Sequence, residues 1–589
     1  MVGLMSHPVI AVVIFIGLLI FVHELGHFVV GKLFGIGVET FSIGFGPEFA
    51  AFSWRGTRYR LALIPLGGYV KFAGMLPREE IPPHVLGKPM HQAGRWQRAA
   101  VLVAGPLANL LLAVVVYTGM GMQGIPHVPA IIGQVLEGSP AAQAGLLPED
   151  GILSIDGAAI RSWDQLREAL TAHPEQALSL EVEREGQRLP LTLTPAVVEG
   201  DDALGRKASL GRAGISPGAL PAIISLNLNA KAAAQAGLKT GDQIINLRVG
   251  DKNASLEKSL PLKTWHQCLK KLHWAFSLGA QAITLEVVTA PVPGKESAPS
   301  PEPPPLAAPR TITLKTLAWE PLRATAPKEF TSAFAGRLAE LLGIVPAQLT
   351  IAGTGPEMGE VLKQGDRLLA FKGEAVNSIF ELSEKLQANH EAQVQISIQR
   401  ELSRRDLEVR LLPRERQEMS GKTNYYALDV ILWGQPLMPA SYLEKYEGLP
   451  AAVIFAFGHT MEQSWLMLKM IGSLLVGQVP LQALGGPILI AKVAQDAMEM
   501  GWQVFFSTLA LISINLGLMN LFPIPVADGG QLMLVLLEAL KGRPLSEAAL
   551  ENFQRIGFVM LMALVILATY NDLSRFWASL LRGLGQMLQ

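Results

Sequence analysis

The pentapeptide His23-Glu24-Leu25-Gly26-His27 carries two imidazoles and a carboxylate at a spacing that can do hydrolytic chemistry. On a helix, residues four apart leave from one face, so His23 and His27 could share a metal ion. Glu24 is offset from that face and can hold a water instead of the metal. This is the His-Glu-x-x-His arrangement of zinc hydrolases, two ligands with a general base. Its surroundings are unusual. Residues 9–22 (VIAVVIFIGLLIFV) carry no charge, and 28–30 (FVV) continue the apolar run. Ionisable groups at such depth are costly and mark function. Two solvated histidines on a surface helix would not have these flanks.

The rest of the chain must place this motif and complete it. Half of the 589 residues are hydrophobic and 17% are charged, against a usual ~25% charged. That composition suits a membrane protein with sizeable soluble parts. The net charge of −1 gives no pointer to nucleic acid. Cys268 is the only cysteine, which excludes an intrachain disulfide and a cysteine-rich metal site. Apolar runs at 9–30, 99–121, 504–522 and 556–571 are long enough to span a bilayer, the last only with help from its flanks or some bilayer thinning. The stretch 450–476 contains His459, Glu462 and Lys469 and reads as an amphipathic helix at the membrane surface, with a fifth span as the alternative. The first run has no preceding Lys or Arg, so a cleaved signal peptide is not expected. Loop 31–98 carries nine Lys and Arg, and loop 523–555 holds Lys541, Arg543 and Arg555. The positive-inside rule places both in the cytoplasm, with 122–450 and both termini outside and the motif toward the cytoplasmic end of its span.

A zinc site needs a third protein ligand at the same depth, with a position left open for water. The third apolar run ends in Asn515, Asn520, Pro523, Pro525, Ala527 and Asp528-Gly529-Gly530. The prolines break the helix. Asp528 then sits on irregular backbone, tolerated at membrane depth only where it lines protein or a cavity. An Asp-Gly turn at a membrane exit is common by itself; paired with the first motif, Asp528 reads as the third ligand.

The outer stretch repeats one pattern three times. Ala144-Gly145-Leu146, Asp150, a helix at 162–170 and strands over 178–195 form the first copy. Ala236-Gly237-Leu238, Gly241-Asp242, a helix at 264–272 and strands at 283–288 and 310–317 form the second. Gly365-Asp366, a helix at 378–386 and strands at 394–399 and 406–413 form the third. Tight turns and period-two alternation define each as a small α/β unit. With Gly138-Ser139-Pro140-Ala141 ahead of the first copy, the pattern resembles PDZ domains, which bind peptides along a sheet edge. The segment 291–309 holds eight prolines and falls where the first copy has its hairpin turn, so it reads as an expanded hairpin loop.

His-Glu-x-x-His in a first span and Asn-x-x-Pro-x-Pro-x-x-Asp-Gly in a later one resemble the site-2 protease family of intramembrane zinc metalloproteases. External PDZ-like modules between the halves resemble its bacterial RseP branch. Ser42-Ile43-Gly44-Phe45-Gly46-Pro47 and Ile64-Pro65-Leu66-Gly67-Gly68-Tyr69 resemble the family's membrane-reentrant β-loop, and Gly105-Pro106-Leu107-Ala108-Asn109 the motif of its second span. Ser513-Ile514-Asn515-Leu516-Gly517 and Gly485-Gly486-Pro487-Ile488 fit its C-terminal half. Two departures are Ala527, where the family has Leu, and a third module where the branch has two.

The expected architecture is therefore a multi-span α-helical membrane protein with about four transmembrane helices, a reentrant β-loop and external α/β modules. Its expected parts are a membrane half at 1–125, PDZ-like modules at 126–200, 210–322 and 335–415, interfacial helices at 440–500 and a second membrane half at 501–589. The resemblance implies zinc held by His23, His27 and Asp528, with Glu24 as general base. It implies substrate contacts at Asn515, Asn520, Gly67 and Gly68, and strand pairing of an opened substrate along 57–72. The expected location is the bacterial inner membrane, with periplasmic modules. The expected partners are the lipid bilayer, single-span membrane proteins such as trimmed anti-sigma factors or remnant signal peptides, and peptides for the modules. The alternatives are a PDZ-bearing scaffold or quality-control adaptor with a relic metal site, and a metal transporter. The intact Glu24 argues against a relic, and the absence of inverted symmetry between the membrane halves argues against a transporter.

Overall fold

A computed structural model describes residues 8–587 apart from 76–80, 203–205, 250–261, 291–307, 323–326, 328–329, 356–357, 419–420, 434–435, 479–484 and 544. Four helices among these are long and apolar enough to cross a membrane: Phe15–Leu33, Arg95–Gln123, Trp502–Leu521 and Ala548–Leu573. They fall on the four apolar runs. The first lies in α1 (Pro8–Leu33) and the second is α2 (Arg95–Gln123). The last window has 26 residues and needs no bilayer thinning, because its helix continues well beyond the apolar run at both ends.

Between α1 and α2 two long strands fold into a small sheet. Thr40–Ile43 of β1 (Val38–Trp54) lies between Arg58–Leu61 and Gly68–Lys71, both from β2 (Thr57–Phe72). Glu48–Trp54 pairs with the first of those segments. The strands can double back because Gly44, Gly46 and Gly67 take positive φ. Gly67 is also pressed against the Phe45 ring, where a Cβ would lie 2.0 Å from it. The far edge shows Phe49, Phe52 and Trp54 to the exterior.

The region between the two membrane halves hangs from a narrow neck. Ile125–His127, leaving α2, pairs antiparallel with Tyr442–Glu444, returning to the membrane part. Among the described residues beyond it, the three larger hydrophobic cores follow the three sequence repeats. Each has an antiparallel sheet and a helix: Trp163–Ala172, Trp265–Ser277 and Ile379–Gln387. Each helix starts at a Ser or Thr whose hydroxyl accepts a backbone N–H. The repeated aspartate has one structural job in all three. Asp150, Asp242 and Asp366 are each about 1% exposed. They accept the backbone N–H of Leu147, Lys239 and Lys363 and pair with Arg184, Arg310 and Arg400.

Module limits differ from the sequence reading. The first core includes Ala213, and Ile215–Ser216 pairs with Gln134–Val135, so this unit runs past 200. Helix Ser332–Leu341, most of which falls inside the bounds 335–415 expected for the third unit, buries Ala335, Leu338 and Ala339 in the second core. Ile344–Pro346 then pairs with Ile224–Leu226. The third core extends beyond 415 to Leu432. The strands Ala282–Thr289 and Arg310–Lys315 on either side of the proline-rich segment are antiparallel neighbours; residues 291–307 themselves lie outside the described residues.

After the neck, α3 (Leu449–Leu475) runs antiparallel along α2. Ala452, Ala456, Thr460 and Ser464 form a buried small-residue stripe, which lets the two backbones approach. His459 meets Tyr117 edge to face at 4.7 Å. The helix expected to lie flat on the surface therefore follows the direction of α2, although it is not among the four helices with spanning composition. Next come α4 (Pro487–Glu499), α5 (Trp502–Leu521), α6 (Asp528–Lys541) and α7 (Glu547–Met587). Ala494 of α4 and Phe505 and Leu509 of α5 pack on Phe15 and Leu19 of α1. Asp572 of α7 is fully buried and accepts the N–H groups of Gly486, Ile488 and Leu489, which caps the start of α4.

Candidate metal centre

The centre forms where α1, α2, α5 and α6 meet. Close approach of α1 and α2 depends on small residues. A Cβ at Gly26 would lie 2.4 Å from the Ala104 carbonyl oxygen, and one at Gly105 would lie 2.2 Å from His27 Nε2. On the other side of α2, Gly517 of α5 sits against the Pro106 carbonyl oxygen, and Ser513 Oγ donates to the Asn109 carbonyl at 2.8 Å.

Asp528 arrives by a sharp turn. The helix α5 stops at Leu521, before Pro523 and Pro525. Val526 then takes φ +85°, a region that β-branched residues rarely enter. Asp528 is the first residue of α6. A Cβ at Gly529 would lie 2.3 Å from the Leu521 and Phe522 carbonyl oxygens, and one at Gly530 2.2 Å from that of Ile524. Two glycines therefore let the helix start press on the preceding turn. At its other end α6 is clamped to α2: Glu538, 7% exposed, takes a hydrogen bond from Arg98 at 2.6 Å, and Arg95 donates to the Gly542 carbonyl.

Three candidate ligand atoms converge. His23 Nε2 and His27 Nε2 are 3.2 Å apart, and Asp528 Oδ2 lies 3.1 Å from the first and 3.3 Å from the second. Both histidines are buried. Tetrahedral zinc with bonds of about 2.0–2.1 Å holds its ligand atoms about 3.3 Å apart, so this triangle matches one face of such a site. Charge fits as well. Two neutral imidazoles with the Asp528 and Glu24 carboxylates total −2, which a divalent cation balances; two carboxylates in an apolar setting are otherwise costly.

His27 Nδ1 lies 2.7 Å from the Val101 carbonyl oxygen, an acceptor that fixes the proton on Nδ1 and leaves Nε2 free for a metal. His23 Nδ1 lies 3.3 Å from the side-chain amide of Asn109. Glu24 lies beside the last segment of the sheet: a side chain at Gly68 would meet Glu24 Cγ at 3.5 Å. Of the residues expected to touch substrate, Gly68 thus faces Glu24, and Gly67 forms the bend beside it. Asn520 places its amide 3.5 Å from His23 Nε2, too far for a strong bond. Asn515 lies five residues earlier on α5, its Oδ1 buried without a partner among the described residues. The sequence reading assigned no role to Val101, Gly105 or Val526. Gly105 and Asn109, four apart in an apolar span, were the visible signal; a carbonyl acceptor such as that of Val101 leaves none.

Comparison with known proteins gives the family. Over 576 residues the chain is 28% identical to Regulator of sigma-E protease RseP of Escherichia coli (strain K12), covering 96% of this chain and 97% of that protein. Over 572 residues it is 29% identical to Protease RseP of Yersinia pestis, covering 96% and 98%. A Vibrio cholerae protein described as a candidate zinc metalloprotease matches at 29% over 577 residues, again 96% and 98% of the two chains. The sequence model of Peptidase family M50 matches residues 11–564, nearly the whole length, and the chain belongs to that family.

Proposed function

We propose that this peptidase is a zinc metalloendopeptidase that cleaves transmembrane segments of single-span membrane proteins after another protease has trimmed them outside. The observation that carries this reading is the triangle of His23, His27 and Asp528 set between apolar helices. The Escherichia coli relative is named a regulator of sigma-E protease, which makes an anti-sigma factor the leading substrate class. In this reading His23, His27 and Asp528 hold zinc. Bound there, zinc lowers the pKa of a coordinated water to about 7 and polarises the scissile carbonyl. Glu24 takes the water's proton and hands it to the leaving amine. A substrate helix closes its backbone hydrogen bonds internally and must open before attack. The segment Gly68–Phe72, beside Glu24, offers strand pairing to the opened chain, and Asn515 and Asn520 offer polar contacts.

In this reading the enzyme sits in a bacterial inner membrane, with the β1–β2 sheet as a reentrant loop near the cytoplasmic side and three PDZ-like modules in the periplasm. The modules act as a size filter over the membrane part, which requires no peptide bound in any groove. Substituting Glu24→Gln tests the chemistry. The purified variant should keep its zinc and lose cleavage by about 10²–10⁴-fold, the usual worth of a general base. It should also trap substrate chains for identification. Turnover at the unsubstituted rate would remove Glu24 from the mechanism.

A further inference from the structure

Asn109 is fully buried. Its amide faces His23 Nδ1 at 3.3 Å with the nitrogen forward, and its Oδ1 is buried with no partner among the described residues. The chemistry of the centre does not suit that orientation. His23 turns Nε2 toward Asp528 and His27. A neutral imidazole that gives its Nε2 lone pair to a metal carries its proton on Nδ1. With the amide nitrogen forward, an N–H would meet an N–H while a carbonyl oxygen stood orphaned beside them. Exchanging O and N in the amide, two groups of nearly equal shape, cures both faults. Oδ1 then accepts a hydrogen bond from the Nδ1–H of His23. The result matches His27, whose Nδ1 faces the Val101 carbonyl. Val101, Gly105 and Asn109 are spaced four apart on α2, so one helix face supplies an acceptor, a gap for the His27 ring and a second acceptor.

We propose that Asn109 is a positioning residue of the metal centre: its amide oxygen accepts a hydrogen bond from the Nδ1–H of His23, fixes the tautomer and rotation of that ring, and so sets the affinity for metal. The backbone at Asn109 is held independently by Ser513, so replacing the side chain leaves the α2–α5 contact in place.

The proposal rests on His23 being a metal ligand. The test is the zinc affinity of the purified full-length protein, measured by chelator competition in Asn109→Leu, Asn109→Asp and His23→Ala. Leu fills similar space but cannot accept a hydrogen bond. Asp is acceptor-only and cannot be reversed. Asn109→Leu should bind zinc roughly 10–100-fold more weakly, and Asn109→Asp should stay within about threefold of the unsubstituted protein or bind more tightly, by the carboxylate–histidine–metal arrangement. A packing role predicts the reverse, because Leu is tolerated in an apolar setting and a buried carboxylate is not. Thermal unfolding of the three proteins in excess chelator reports folding separately. If Asn109→Leu does not fold, the Asp variant still decides: affinity more than tenfold weaker overturns the proposal. Unchanged affinity in His23→Ala overturns the ligand reading itself. Loss in His23→Ala with none in Asn109→Leu overturns only the role of Asn109.

Discussion

At the scale of single residues, this centre depends on atoms that are absent as much as on those present. Gly105 has no functional group, yet any side chain there would enter the His27 ring, 2.2 Å from Nε2. Alanine is the better helix former by about 1 kcal/mol, so intrinsic propensity predicts that Gly105→Ala helps α2. The geometry predicts the opposite for function. Gly105→Ala should lower zinc content and activity together, because His27 must rotate out of line with His23 and Asp528. Elemental analysis of the purified variant checks this, and full zinc content would show that the ring has room the structure does not give it. Val526 is the counterpart at the third ligand: its positive φ costs about 1–3 kcal/mol and is kept where it aims Asp528.

At the scale of elements, the third ligand is held by the seating of α6. Glu538 and Arg98 join the far end of that helix to α2 while being largely removed from water. Breaking one side of such a pair costs about 3–5 kcal/mol when both partners are buried, and somewhat less here because Arg98 keeps partial exposure. Glu538→Ala should therefore destabilise the membrane part and reduce zinc retention. The exchange Arg98→Glu with Glu538→Arg should recover part of both. Thermal unfolding and zinc retention measured across this cycle give the coupling, and no recovery in the double variant would show that the pair does not act as a unit. The modules pose a parallel case. Asp366 caps a turn and pairs with Arg400, so Asp366→Ala should cost the third module about 3 kcal/mol. Hydrogen exchange should rise across 349–432 and stay unchanged in the first module. Uniform protection would mean that the turn is held by packing alone.

At the scale of the whole molecule, the strand pairing that joins the region between His127 and Tyr442 to the membrane part, among the described residues, is the antiparallel pair Ile125–His127 and Tyr442–Glu444. Tyr442 is directly opposite His127, and Arg161 of the first module reaches Glu444 of the neck at 3.2 Å. That region can therefore be removed without stretching the membrane part. Replacing 128–441 with an Asn-Gly turn closes a hairpin of normal geometry. If the modules exclude by size, this variant should keep its zinc, cleave trimmed substrate and also cleave an untrimmed one that the full chain refuses. Continued refusal of the untrimmed substrate would move selection into the membrane part, with Gly68–Phe72 as the next element to examine.

Some of this was determined by the sequence alone. The spacing of His23 and His27, the four apolar runs and the three repeats are local patterns. Helix period, span length and strand alternation express them wherever the chain goes. The helices and strands of the modules accordingly fall within a few residues of their sequence positions. Tertiary structure decided what meets what. Asp528 lies some five hundred residues from His23 and becomes its neighbour only because Gly26, Gly105, Gly517 and Gly529 let four backbones close on one point. The helix Ser332–Leu341 joined the second core rather than the third, since an apolar face announces that it will be buried and not against which partner. For the same reason α3 lies along α2: its small-residue stripe is legible in the sequence, but the surface it fits exists only once α2 is in place.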